Sequence, residues 1–221
     1  YNIHSQLVRM EESLQWAWQY APRPFWLVVA GHYPIYTAGE HGDIEELKNG
    51  TAFFMLLQRY KVHAYVCGHD HMACHLNTTY DNICSDPVTN ETSIVNKVEG
   101  SNISLSSSGA VSQLHGSTEW PTEESCNWTT NYYVAGGAAM IDYDYGESDG
   151  NLSWTGIGYT SFAYGSVNHK QLHVTYRNIN GTIVYAHQML NPHFASSSWS
   201  GSYYFDDTLY YADANANTND N

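Results

Sequence analysis

An α/β fold is predicted, and three observations carry the prediction. Two short apolar runs, FWLVVA (25–30) and VHAYVC (62–67), each follow a stretch of helical spacing. Each run ends close to a glycine and then a histidine, where a buried strand of an α/β sheet opens into a site-bearing loop. Further strand-like segments follow, including a pair of alternating runs around Asn180-Gly181, a strong hairpin signal. The order helix, strand, loop, helix, strand is that of layered α/β architecture.

In residues 5–20, Leu7, Met10, Leu14, Ala17 and Trp18 fall at helical spacing, and Pro22 and Pro24 end the helix. Residues 25–30 read as a strand covered on both faces. Gly31 opens a loop to about Gly42. Residues 44–60 read as a second helix, acidic early with Arg59 late, in accord with the helix dipole; Gly50 weakens its middle. Residues 62–67 form the second buried strand. From 76 to 130 apolar periodicity fades and Ser, Thr and Asn dominate, as in a long insertion. Strands return at 132–142, 159–167, 171–178 and 182–190, and residues 191–221 form a Ser-, Tyr- and Asn-rich tail.

With 8 Lys+Arg against 22 Asp+Glu, the net charge of -14 repels nucleic acid and anionic membranes. A small anionic substrate stays compatible, because a bound metal reverses the local field. No apolar run approaches the roughly 20 residues that span a bilayer. Asn-X-Ser/Thr triplets begin at Asn49, Asn77, Asn90, Asn102, Asn127, Asn151 and Asn180, mostly in loop-like segments. They predict a glycoprotein that is secreted, extracellular or in a lysosome-like compartment. Of the four cysteines, Cys67 reads as a buried free thiol, and Cys74–Cys84 as a plausible local bridge. No C-x-x-C pair is present, which argues against a cysteine zinc site.

The chemistry concentrates in VVAGHYP, ending at Pro34, and YVCGHDH, ending at His71. Gly31 and Gly68 are expected to let the backbone turn tightly. The i, i+2 spacing of His69 and His71 puts both rings on one side of an extended segment. Such a pair suits neighbouring ions of a two-metal site about 3.5–4 Å apart. Asp70 reads either as a brace for a neighbouring ligand or as a turn residue bonded to its own backbone.

VVAGHYPIYTAGEHGD and LLQRYKVHAYVCGHDHMACHL resemble the second half of the purple acid phosphatases, tartrate-resistant type, among the calcineurin-like metallophosphoesterases. YYVAGGAAMID and SFAYGSVNHKQLHVTYRNINGTIVYAHQ resemble that family's closing strands. The resemblance implies the C-terminal half of a four-layer α/β/β/α sandwich, spanning residues 1–190 with an insertion at 76–130. It implies His32 and His69 on a divalent ion (iron(II), zinc or manganese) and His71 on iron(III), with His41 placing substrate or protonating the leaving group. The family's other ligands lie in upstream motifs of the types D-x-G, G-D-x-x-Y and G-N-H-[DE], which do not occur here. Asp142, Asp144, Tyr145 and Asp149 stand in the wrong order and place to replace them. Three neutral imidazoles cannot offset a trivalent ion.

The expected partner is therefore an N-terminal half of the same fold, separate from or preceding this chain. With it, the expectation is an exported acid phosphatase acting on small phosphomonoesters. AGGAA (135–139) departs from the family's pattern. The glycan-rich insertion, the aromatic tail and the missing ligands motivate the alternative, a non-catalytic glycosylated assembly protein on the same scaffold, with self-assembly. A carbohydrate-binding module rests on the Tyr and Trp content alone.

Overall fold

The computed structural model describes residues 3–22, 24–48, 50–80, 127–138, 144–156 and 160–192. Two helices, one face each, cover a five-stranded sheet, and a three-stranded sheet covers its other face. Helix α1 (Ile3–Tyr20) buries Leu14 and Trp18, the indole donating to the carbonyl of Tyr60 at 2.7 Å. The second helical segment is interrupted. A 3-10 turn (Glu45–Leu47) and helix α2 (Ala52–Arg59) flank Gly50, whose φ of +85° no helix accommodates. Helix α2 starts afresh with Thr51 as N-cap, its hydroxyl accepting from the Phe54 amide at 3.2 Å.

The larger sheet runs β1 (Val28–Ala30), β2 (Ala64–Cys67), β4 (Trp128–Ala135), β3 (Ala73–Tyr80), β5 (Asn151–Gly156) in spatial order. Strands β1, β2 and β4 are parallel, while β3 runs antiparallel to β4 and β5. The smaller sheet is an antiparallel meander of β6 (Ser161–Val167), β7 (Gln171–Asn178) and β8 (Ile183–Leu190). The layered α/β arrangement that the sequence predicts is thus present.

Alternation along β4 joins the layers. Tyr132 faces the helices with Phe54, Leu57 and Leu76, whereas Tyr133 faces the smaller sheet with Leu172, Val174 and Tyr176. The Tyr176 hydroxyl reaches across to the carbonyls of Cys74 (3.0 Å) and Val134 (2.9 Å). Buried between the sheets, such bonds cost little to make and much to leave unmade.

Several elements differ from expectation. Strand β1 is three residues long and lies at the sheet edge, so Val28 is 49% exposed rather than covered. Strands β3 and β4 extend well into 76–130, pairing as far as Tyr80 with Trp128; residues 81–126, with Asn90 and Asn102, lie outside the described residues, as does Asn49. Strand β5 has no counterpart in the sequence reading, because LSW alternates too briefly to register. Cys74 is a free, wholly buried thiol in β3, so the Cys74–Cys84 bridge is not formed. Burial pushes that thiol up to about 12, and Cys67, equally free, is also raised by burial. Both are inert as nucleophiles.

Candidate metal centre

Parallel pairing of β1 with β2 delivers both histidine loops to one end of the sheet. The ladder continues past the strands: the Gly31 amide donates to the carbonyl of Val66 (3.0 Å), and that of Gly68 to His32 (3.1 Å). Tyr65 adds a third tie, its hydroxyl donating to the carbonyl of Tyr33 at 2.7 Å. The turn beyond β2 is taken by His69 and not by Gly68: His69 has φ +67°, a left-handed conformation that a non-glycine residue adopts at a cost of about 1 kcal/mol.

Three rings converge. His69 lies 5.3 Å from His32 and 5.0 Å from His41, centroid to centroid, with the half-exposed Tyr33 at 4.5 Å. No hydrogen bond within the described residues takes a ring nitrogen of His32, His41 or His69, so these nitrogens are open to a ligand. Partial burial lowers the basicity of His69; neighbouring His41, His32 and His71 add to this, against Asp70. A neutral imidazole is the form that binds metal.

Asp70 stands apart in character. It is fully buried, and its Oδ2 accepts from the Thr37 hydroxyl at 2.6 Å, while that hydroxyl's oxygen accepts from the Gly39 amide at 3.0 Å. A Cβ on Gly136, in AGGAA, would fall 1.9 Å from the Asp70 carbonyl oxygen, so only glycine fits beneath this turn. Asp70 thus braces the loop that carries His41.

Donor atoms of His41, His69 and Asp70 lie within 4.8 Å of one another, a group able to hold one cation. His32 sits beside this group, and half-buried His71 is near enough for its charge to act on His69. The donor set suits a divalent ion, with nitrogen ligands and one carboxylate. It does not by itself suit a trivalent ion. The sequence reading missed Asp43, Lys48 and Asp149, which tie the His41 loop down from outside. Their signal is only a spacing of charges across more than a hundred residues.

Fold and site define a metallophosphoesterase-like protein. No family model matches the sequence. Tartrate-resistant acid phosphatase type 5 of Sus scrofa is 43% identical over 51 residues, 23% of this chain and 14% of that enzyme. Purple acid phosphatase 3 of Arabidopsis thaliana is 40% identical over 58 residues, 26% of this chain and 15% of that enzyme. Among solved structures, GAP50, the anchor in the inner membrane complex of Plasmodium, has a TM-score of 0.55 at 14% identity. The similarity covers 87% of this chain and 48% of GAP50, and establishes the fold. The chain is related to the purple acid phosphatases, tartrate-resistant type, and corresponds to a C-terminal part of them. Its matched stretches span about one seventh of these curated relatives' length.

Proposed function

We propose that this chain carries the histidine side of a two-metal phosphomonoesterase centre, completed by an N-terminal half of the same fold. The observation that carries the proposal is the convergence of His32, His41 and His69, ring nitrogens unspent, from loops at the ends of two adjacent parallel strands. In this reading His32 and His69 hold a divalent ion and His71 the ferric one. Bound ions of this kind supply Lewis-acid stabilisation of charge on a phosphoryl group. His41, exposed at its loop tip, would in this reading place substrate or protonate the leaving oxygen, in place of the cation contact that its nearness to His69 and Asp70 also allows. Tyr33 walls the site on its solvent side.

Two surfaces left uncovered by the described residues support a further half. Among these residues strand β1 has one sheet neighbour, and the outer face of the smaller sheet leaves Phe162, Tyr164 and Leu190 46%, 51% and 73% exposed. Residues 1–190 then form one metallophosphoesterase-like domain with its partner segment, and 191–221 a tail. Export follows from glycan acceptors at Asn127, Asn151 and Asn180, all exposed; Asn77 lies within β3, its amide donating to Ser153 Oγ at 2.8 Å. Among the described residues no helix is long and apolar enough to cross a membrane.

The test is to purify the assembled protein, measure its metal content and assay an aryl phosphate at mildly acidic pH. About two ions per assembly and turnover are expected; a metal-free, inactive assembly overturns the proposal. The same fold serves as an anchor in GAP50, so the fold alone does not require catalysis. A metal-free assembly bearing glycans is the outcome expected of the second reading, a structural glycoprotein. Mass loss on enzymatic removal of N-glycans from the exported protein checks the glycan assignment.

A further inference from the structure

We propose that Asp43 and Lys48 are positioning residues for His41, closing its loop against residues 146–149. This rests on the reading of His41 as a working group of the site. The ring of His41 forms no hydrogen bond within the described residues, so its place depends on the backbone that carries it and on its contact with the His69 ring. That backbone is a loop whose two ends are joined by one carboxylate. Asp43 Oδ1 accepts from the Thr37 amide at 3.0 Å and from Ser148 Oγ at 2.7 Å. Asp43 Oδ2 accepts from the Asp149 amide at 2.8 Å. The segment 146–149 lies directly on the loop: the Gly146 amide donates to the carbonyl of Ala38 at 3.0 Å, and a Cβ on Gly146 would fall 2.0 Å from the Gly39 carbonyl oxygen.

Lys48 makes the arrangement possible. Its ammonium pairs with Asp43 at 3.2 Å and Glu45 at 2.8 Å, and bonds Asp149 as well. The Lys48 and Asp43 side chains are 6% and 5% exposed, whereas Glu45 and Asp149 keep their outer faces in water. Burial alone would lower the basicity of Lys48, but bonds to Asp149, Glu45 and Asp43 outweigh it and keep the cation charged. Without that cation, the buried Asp43 carboxylate would rest on three neutral donors alone, with no opposite charge to offset its own. On the inner side Asp70 holds the Thr37 hydroxyl, which in turn accepts from the Gly39 amide. The loop is gripped from two sides, on the inside by Asp70 and on the outside by Asp43, Lys48 and residues 146–149.

The test uses the full chain, stripped of metal by chelation and labelled at histidine. The wild type should show a nuclear Overhauser cross-peak between the rings of His41 and His69, whose centroids are 5.0 Å apart. Lys48→Met should weaken it at least about twofold, and Lys48→Arg should restore it. An undiminished cross-peak in folded Lys48→Met overturns the proposal. Where Lys48→Met does not fold, Lys48→Met with Asp43→Asn removes the pair itself without stranding a charge in the core. A weakened cross-peak there supports the proposal, and an unchanged one overturns it. In the assembled protein, Lys48→Met should lower kcat about tenfold at unchanged metal content. Absence of wild-type turnover would sink the phosphatase reading while leaving the cross-peak to decide the positioning role.

Discussion

Two groups of histidines in this chain are built from the same side chain to opposite ends. At the loop ends, His32, His41 and His69 face one another with ring nitrogens uncommitted. Between the sheets, His75 is 1% exposed and fully committed: Nε2 meets Asn131 Oδ1 at 2.9 Å and Nδ1 meets the Tyr185 hydroxyl at 2.7 Å. Its ring stacks on Tyr133 at 4.6 Å, and His187, 4.3 Å away, spends Nδ1 on the Tyr133 hydroxyl. Coordination needs a lone pair, and His75 has none left to give. Proximity of imidazoles is therefore no guide to function; the hydrogen-bond ledger of their nitrogens is.

The largest expected effect separates the two groups in opposite directions. His69→Gly removes a proposed ligand but relieves a left-handed residue, so metal affinity should fall by more than about 100-fold, beyond what changes outside the ligand shell achieve. Stability should hold or rise by up to about 1 kcal/mol. His75→Ala opens a cavity and strands Asn131 and Tyr185, costing about 3 to 4 kcal/mol while leaving metal content unchanged. Urea unfolding and elemental analysis of both variants read the two axes. Equal metal loss in both would break the distinction.

Somewhat smaller is the effect of acid. Burial, reinforced by His187 and opposed by the bond to Asn131, lowers His75 from 6.5 to about 4. The folded state then binds its proton less readily than the unfolded chain does. Stability from the neutral ring is complete above pH 6.5 and is lost as pH falls through 4. The loss amounts to about 3 kcal/mol over that window. Burial also lowers His187, which acts in the same direction. Urea midpoints at pH 7 and pH 4 measure the loss, and His75→Gln should flatten it. A midpoint in the wild type that does not move with pH contradicts the assignment.

The open cluster was legible in the sequence because its signals are local: a short apolar run, a glycine and a histidine, twice over. Helix α1, strand β2 and the Asn180-Gly181 hairpin were legible for the same reason, since periodicity and turn chemistry act over a few residues. What stayed hidden depends on partners far along the chain. The edge position of β1 follows from sheet order, which no run of six apolar residues encodes. Strand β3 continues to Tyr80 because Trp128 pairs with it, although Asn77, Thr78 and Thr79 read as loop. Gly68 was expected to take the turn that His69 takes, because propensity favours glycine while the site requires an imidazole there. Asp43, Lys48 and Asp149 meet only once 146–149 has folded over the loop. What separates His75 from the open cluster, two spent nitrogens, is visible only across three strands.

The smallest effect is the most discriminating. Tyr185→Phe deletes one hydroxyl and leaves His75 Nδ1 without its donor, whereas Tyr33→Phe deletes a hydroxyl beside His69 that bonds nothing within the described residues. Burial decides the difference: an acceptor left unsatisfied between the sheets costs about 1 kcal/mol, while a half-exposed phenol exchanges its water freely. Tyr185→Phe should therefore lower the urea midpoint measurably and shift the His75 Nδ1 resonance. Tyr33→Phe should stay within about 0.5 kcal/mol of wild type and move no His75 signal. Equal costs for the two would show that the hydrogen bond between the sheets is replaced by water, and that His75 is less committed than its geometry indicates.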